Sequence, residues 1–278
     1  MKKFILNADN FGKSKDHNRA VLNGYNNGFI KSASLIANGE AYDIALNEIL
    51  PECQLLSVGV HLNLTEGKSL LKHVLITDDN ANFNKTFKQF VKLAKKRDYQ
   101  KEIENEFRAQ IEKIQSSVKV DHIDSSNHIH AIPEIFNIVC KLATEYNIPY
   151  IRSHYEEIYI VPKPAYILNY NYIKNINNVI LLNHFTNQNR KTLKMYYLKT
   201  NTYLVGVGYR GVMDKNTLYH GLKTISDEDN IIVEASINPC SYLRNINDSH
   251  SREFKLTQDK ILEDKIKRMG YDITNHKI

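Results

Sequence analysis

Short runs rich in Ile, Val, Leu or Tyr alternate along the chain with stretches whose apolar residues recur at helical spacing. A mostly parallel sheet with crossover helices meets that order, and few other arrangements do. Strands are predicted over residues 3–8, 55–62, 122–124, 150–153, 179–183, 203–207 and 231–236. Helices are predicted where Ile103, Phe107, Ile111 and Ile114 repeat, and where Phe136, Val139, Cys140 and Ala143 follow Pro133. A third carries Ile261, Lys265, Ile266 and Met269 and stops at Gly270, with residues 271–273 as a final edge segment. Residues 77–84 and 155–178, the latter with Pro162-Lys-Pro164, read as loops at one rim. About seven parallel strands approach the eight of a closed barrel, so the predicted fold is α/β: an irregular, TIM-like (β/α) barrel.

Length and composition fit that expectation. The chain has 278 residues, and no Pro/Gly/Ser linker or internal repeat divides it, so residues 1–278 are expected to form one domain. With 42% hydrophobic and 24% charged residues, disorder, collagen and coiled coil are excluded. Apolar runs such as Asn178-Val-Ile-Leu-Leu-Asn183 are far shorter than the ~20 residues that cross a bilayer, and Asn7 and Asp9 come too early for a signal peptide. A cytoplasmic location follows as the default expectation. Three cysteines with no Cys-x-x-Cys pair give no disulfide framework or zinc knuckle. The net charge of +6 is spread thinly except at Lys92 to Lys101, which reads as a solvated helix face or loop, so no nucleic-acid partner is expected.

In such folds the residues just past the C-terminal ends of the strands converge on the ligand site. The predicted strand ends here are Asn7-Ala-Asp9-Asn10-Phe-Gly12, Gly59-Val-His61-Leu-Asn63 and Asp121-His122-Ile-Asp124-Ser-Ser126-Asn-His128-Ile-His130, followed by Arg152 with His154 and by Glu234 with Asn238-Pro239. One His or Asp at a strand end is usually a satisfied structural group or a helix cap. Three histidines and an Asp at alternating positions need so many partners that a shared functional site is the better reading. His122 and Asp124 also fit a mutually bonded structural pair. His17, His73, His220, His250 and His276 lie in helical or loop contexts without a comparable cluster.

These motifs together resemble the carbohydrate deacetylases of the YdjC family, from Asn7-Ala-Asp9-Asn10-Phe-Gly12 through Gly59-Val-His61-Leu and His122-Ile-Asp124 to Arg152, Glu234 and Arg252-Glu253. The resemblance implies an irregular (β/α) barrel that holds a divalent metal at its strand ends and removes acetyl groups from N-acetylated amino sugars. It implies Asp9 as base and His61 as metal ligand. Three positions depart from the family pattern: Asn10 stands where a ligating Asp is typical, Ser126 where a His is typical, and Asn238 where a His precedes the Pro. Neutral amides and hydroxyls bind zinc or nickel poorly, so these departures weaken the expected centre unless His128 or Asp9 takes over.

Three readings remain open on the sequence. The first is a deacetylase with a rearranged ligand set, such as Asp9, His61 and His128, for zinc, nickel, cobalt or magnesium. The second is a metal-independent glycan-processing enzyme that uses Asp9 with Asp124 or Glu234 at a glycosidic carbon. The third is a sugar-binding relative without chemistry. Across them, Asp9, Asp124, His128 and Glu234 are the expected catalytic groups, and Asn10, Asn63, His130, Arg152 and Asn238 the substrate contacts. His61 and His128 are the expected metal ligands. A small carbohydrate or glycan is the expected partner, and a homodimer is allowed. With 17 Tyr and no Trp, sugar stacking falls to residues such as Tyr155, Tyr159 and Tyr209-Arg210.

Overall fold

The computed structural model describes residues 1–225, 230–241 and 248–278. A parallel sheet in the order β5-β4-β3-β2-β1-β7-β6 curls into a half-barrel surrounded by helices. Its strands are β1 (Lys2–Phe11), β2 (Ser32–Leu35), β3 (Ser57–Leu62), β4 (His122–Ser125), β5 (Tyr150–Ile151), β6 (Tyr203–Val205) and β7 (Ile232–Ile237). An eighth strand, β8 (Tyr271–Thr274), pairs only with β1. Along one edge β1 pairs with β7 over Lys3 to Ala8; along the other, β8 takes Lys2 to Ile5 and β2 takes Asn7 to Phe11. Phe4, Ile5, Leu6 and Ala8 are accordingly buried, at the centre of a core that runs from Phe4 to Ile273. The two end strands are tied together where Ile151 N donates to Lys199 O at 3.0 Å and Leu204 N to Tyr155 O at 2.7 Å.

The helix Arg97–Gln115 buries Ile103, Phe107, Ile111 and Ile114 as the spacing predicts, and the helix Pro133–Glu145 starts on Pro133, whose missing N–H costs nothing there. Cys140 lies inside that helix, where burial pushes its thiol up to about 12, so it behaves as a small hydrophobe. The helix Lys260–Arg268 ends before Gly270, whose φ of 84° is the left-handed conformation a helix stop requires.

Three elements differ from the expectation. Residues 179–183 are not a strand but the middle of a long helix, Tyr170–Met195, which buries Val179, Leu182 and Phe185. A short apolar run has no periodicity that separates a strand from a buried helical turn, and tertiary packing decides. The same helix and the turn Pro164–Ile167 occupy most of the region expected as loop. The strand Ser32–Leu35 has only four residues, two of them serines, and carries almost no β signal. The final segment is a strand, as expected, but it pairs with the central β1 rather than at an edge. Among the described residues no helix is long and apolar enough to cross a membrane.

Candidate active site

Side chains alternate across a strand, so each strand sends every second residue into the barrel. Here those residues are polar: Asn7 and Asp9 from β1, His61 from β3, His122 and Asp124 from β4, Glu234 and Ser236 from β7. His61 lies beside Asp124 in register, and Gly59 beside His122. Gly59 has a steric reason, since a Cβ there would lie 2.3 Å from His122 Nε2. Between Ala8 and Phe11 the pairing of β1 with β2 slips, and Asn10 adopts a φ of 62°. Such a bulge re-aims side chains, and Asn is among the few residues that tolerate the left-handed region.

Arg152 is the electrostatic centre. It follows β5, is 1% exposed, and reaches across the barrel to three carboxylates. Its Nη1 and Nη2 grip Asp9 Oδ2 and Oδ1 at 2.9 and 2.7 Å, Nη2 lies 2.7 Å from Asp124 Oδ2, and Nε donates to Glu234 Oε1 at 2.6 Å. Ser236 Oγ donates to Asp9 Oδ2 at 2.7 Å and Asn7 Nδ2 to Asp9 Oδ1 at 2.8 Å. Burial alone would raise the Asp9 carboxyl, but the Arg152 guanidinium outweighs it and holds the group well below the usual carboxylate range. Glu234 is equally buried and is lowered to about 2 by the same cation and by His276. Asp9, His61 and Asp124 can bring donor atoms within 4.8 Å of one another. In this trio the single guanidinium, shared also with Glu234, offsets only part of the negative charge of Asp9 and Asp124.

Above Arg152 lies an open, polar pocket lined among others by Asp9, Asn10, His61, His128, Asn238 and Glu253. His61 presents Nε2 to it because Asp124 Oδ1 holds Nδ1 at 2.8 Å. A carboxylate behind a histidine fixes its tautomer and orientation, as in metal-ligating histidines. His128 stands on two consecutive left-handed residues, Asn127 at φ 52° and His128 at φ 58°. Such strain collects at functional sites. Both ring nitrogens of His128 are buried without a hydrogen-bond partner among the described residues. Burial, and then the charges of Arg210 and Arg152, keep this imidazole neutral, its lone pair available. Asn10 Nδ2 donates to Asn238 Oδ1 at 2.6 Å, and Asn238 N donates to Glu253 Oε2 at 2.5 Å. Burial raises the Glu253 carboxyl to about 7, against the pull of the Asn238 amide, His250 and Arg210.

A family model described as YdjC-like protein matches residues 3–268. The chain belongs to the YdjC-like family. This YdjC-like chain is 39% identical over 161 residues to a carbohydrate deacetylase of Clostridium beijerinckii, covering 56% of this chain and 63% of that one. It is 37% identical over 149 residues to a carbohydrate deacetylase of Brevibacillus brevis, covering 53% and 58%. Carbohydrate deacetylase 1 of Listeria innocua is 38% identical over 154 residues, covering 55% and 61%. The chain thus spans less than two thirds of the length of these relatives. In fold it is similar to the crystal structure of a protein described as a cellobiose-phosphate cleavage protein from Enterococcus faecalis V583, with a TM-score of 0.76 at 20% identity over 99% of this chain and 97% of that one.

The YdjC-like barrel sorts the expected site residues into two groups. Asp9, Asn10, His61, His128 and Asn238 line the pocket together. Asp124 and Glu234, expected as catalytic groups, are fully buried behind it and act as partners of His61 and Arg152. Arg152, expected to hold substrate, has its guanidinium committed to three carboxylates. His130 is also fully buried, with Nδ1 on Ser125 Oγ at 2.5 Å and Nε2 on Arg152 O at 3.0 Å. Asn63, another expected substrate contact, instead shapes the next turn by accepting from Thr65 N and Glu66 N. His276, taken from the sequence as lacking a cluster, stacks on His122 with ring centroids 3.6 Å apart. Tyr159 and Tyr209 are buried and offer no stacking face. Sequence reasoning missed Glu66 and Ser236 on the pocket wall. Ser236 had a signal, since it falls two residues beyond Glu234 on one strand and so faces the same side.

Proposed function

We propose that this chain is a carbohydrate deacetylase-like hydrolase that removes the acetyl group from an N-acetylated amino sugar. One observation carries the reading: an orphaned neutral imidazole, His128, and a carboxylate-backed imidazole, His61, face the same open polar pocket as the titratable Glu253. The family and the names of its relatives agree with it.

The donor set fits a divalent metal ion, weakly. Of the ligand set Asp9, His61 and His128 expected from the sequence, only Asp9 and His61 lie in a group of converging donor atoms, with Asp124 in place of His128; His61 Nε2 would hold the ion, with His128 and the amide oxygen of Asn10 from the same pocket wall. When bound, such an ion polarises the acetyl carbonyl and acidifies water. The rest belongs to this chain. Asp124 keeps His61 oriented, while Arg152, Ser236 and Asn7 keep Asp9 ionised and fixed beside the reacting centre. A carboxylate so strongly ion-paired is a poor base, so proton transfer falls to Glu253, whose affinity for a proton near pH 7 suits taking one from water and returning it to the leaving amine. Asn10, Asn238 and Asn127 offer amide contacts to sugar hydroxyls. The metal-independent glycosidic reading is opposed by the burial of Asp124 and Glu234, because neither could reach a glycosidic carbon.

The test is acetate release from N-acetylglucosamine oligomers with added zinc, nickel, cobalt or magnesium. Wild type is expected to release it, and His61→Ala and His128→Ala to lose at least about 100-fold. Undiminished release by both variants would move the chemistry elsewhere.

A further inference from the structure

Beneath Arg152 the barrel floor holds a second buried cluster, and its central ring comes from outside the region that the family model matches. His276 follows β8, lies beyond residue 268, and is 1% exposed. Its Nδ1 meets Ser32 Oγ at 2.6 Å, its Nε2 lies 3.3 Å from Glu234 Oε2, and its ring stacks on His122 with Tyr150 edge-on at 4.5 Å. Barrel floors are ordinarily filled by branched apolar side chains. A polar floor persists only if its groups hold one another.

Two routes lead from this ring to the pocket. Along the first, Glu234 receives Arg152 Nε, and the far end of the same planar guanidinium grips both oxygens of Asp9. Among the described residues Glu234 Oε2 accepts a 3.5 Å hydrogen bond from the Tyr150 hydroxyl and faces His276 Nε2 at 3.3 Å, an ion-pair distance without hydrogen-bond geometry, so the imidazole bounds the space in which that carboxylate oxygen can turn. Along the second, His122 meets Ser34 Oγ at 3.1 Å, Ser34 donates to Asp124 Oδ2 at 2.8 Å, and Asp124 holds His61. The stacked pair therefore braces Asp9 and His61 together from below.

We propose that His276 is a positioning residue of this pocket, setting Glu234 and, through Arg152, the orientation of Asp9, while its stacked contact with His122 supports the Asp124–His61 pair. The activity arm of its test rests on the hydrolytic reading above. Two conservative variants separate the routes: the amide of His276→Gln reaches the place of Nε2, facing Glu234, whereas that of His276→Asn reaches only the place of Nδ1, facing Ser32. Acetate release from N-acetylglucosamine oligomers gives kcat and KM, and the ring ¹⁵N resonances of His61 in ¹⁵N-histidine-labelled protein report its tautomer and partner without turnover.

His276→Asn is expected to lower kcat about 10-fold or more with KM little changed and to shift the His61 resonances, while His276→Gln stays within about threefold of wild type. Equal losses in both variants that track a fall in Tm would reduce His276 to a structural residue and overturn the proposal. So would two folded variants that keep wild-type kcat and unmoved His61 resonances. If the wild type itself releases no acetate, the hydrolytic reading fails and the spectra alone decide: a shifted His61 in folded His276→Asn supports the positioning role, and an unshifted one refutes it.

Discussion

Asn10→Asp should convert a weak metal site into a strong one. Asn10 lines the pocket with His61 and His128 and sits at a φ of 62°, which Asp also tolerates, so the exchange costs little in the backbone. The lost donation from Asn10 Nδ2 to Asn238 Oδ1 can be restored if the Asn238 amide turns over and donates to the new carboxylate. Two unit charges about 4 Å apart at an effective dielectric of about 20 interact by ~4 kcal/mol, and a divalent ion roughly doubles that. Repulsion from the neighbouring ionised Asp9 and solvent screening at this half-buried position remove much of the gain. A net ~3 kcal/mol remains, or roughly 100-fold tighter binding. Isothermal titration of metal-free protein with zinc or nickel measures it directly, and the gain should vanish when the substitution is made in His61→Ala. An affinity unchanged within about twofold, or the same gain without His61, would refute the ligand assignment.

Arg152→Met leaves Asp9, Asp124 and Glu234 without their buried counter-ion, so denaturant unfolding should show a loss of about 3–5 kcal/mol; a loss below about 1 kcal/mol would contradict the central role of Arg152. Glu253 is raised from 4.5 to about 7 in the folded chain, so the fold binds its proton more tightly than the unfolded state does. Its contribution is fully present below pH 4.5 and is lost as pH rises through about 7. Glu253→Gln should therefore flatten Tm between pH 4.5 and 7, in part only because buried Glu156 is raised to about 7 as well; an unchanged slope would count against it. Gly59→Ala drives a methyl into the His122 ring and should cost about 1–3 kcal/mol in thermal or denaturant unfolding, with a neutral effect arguing that the ring has room to move.

Much of the pocket was legible because its residues sit at strand ends, where the chain order itself announces them: Asp9, His61 and His128 were each marked by their strand or the loop after it. Depth was not legible. Nothing in the order of residues distinguishes Arg152 facing a ligand from Arg152 facing three carboxylates, because that depends on which strands lie opposite one another across the curl. The same blindness placed Glu234 and Asp124 among the catalytic groups and His130 among the substrate contacts, where burial makes them supports. His276 was unreadable for a different reason: its partners Ser32, His122 and Glu234 come from three distant strands, and β8 had to be seen beside β1 before the ring could reach them. In the fold, Ser32–Leu35 escaped notice because its residues are small, and residues 179–183 misled because a buried helical turn and a buried strand share one composition.

The most direct test of the hydrolytic account is a product balance for metal-supplemented wild type acting on an N-acetylglucosamine dimer, counting acetate, free amine and new reducing ends in one reaction. The account predicts acetate and amine in equal amounts with no new reducing ends. New reducing ends without acetate would contradict it and return the chemistry to the glycosidic bond, and an unaltered dimer under every metal would leave the pocket without the amide hydrolysis assigned to it.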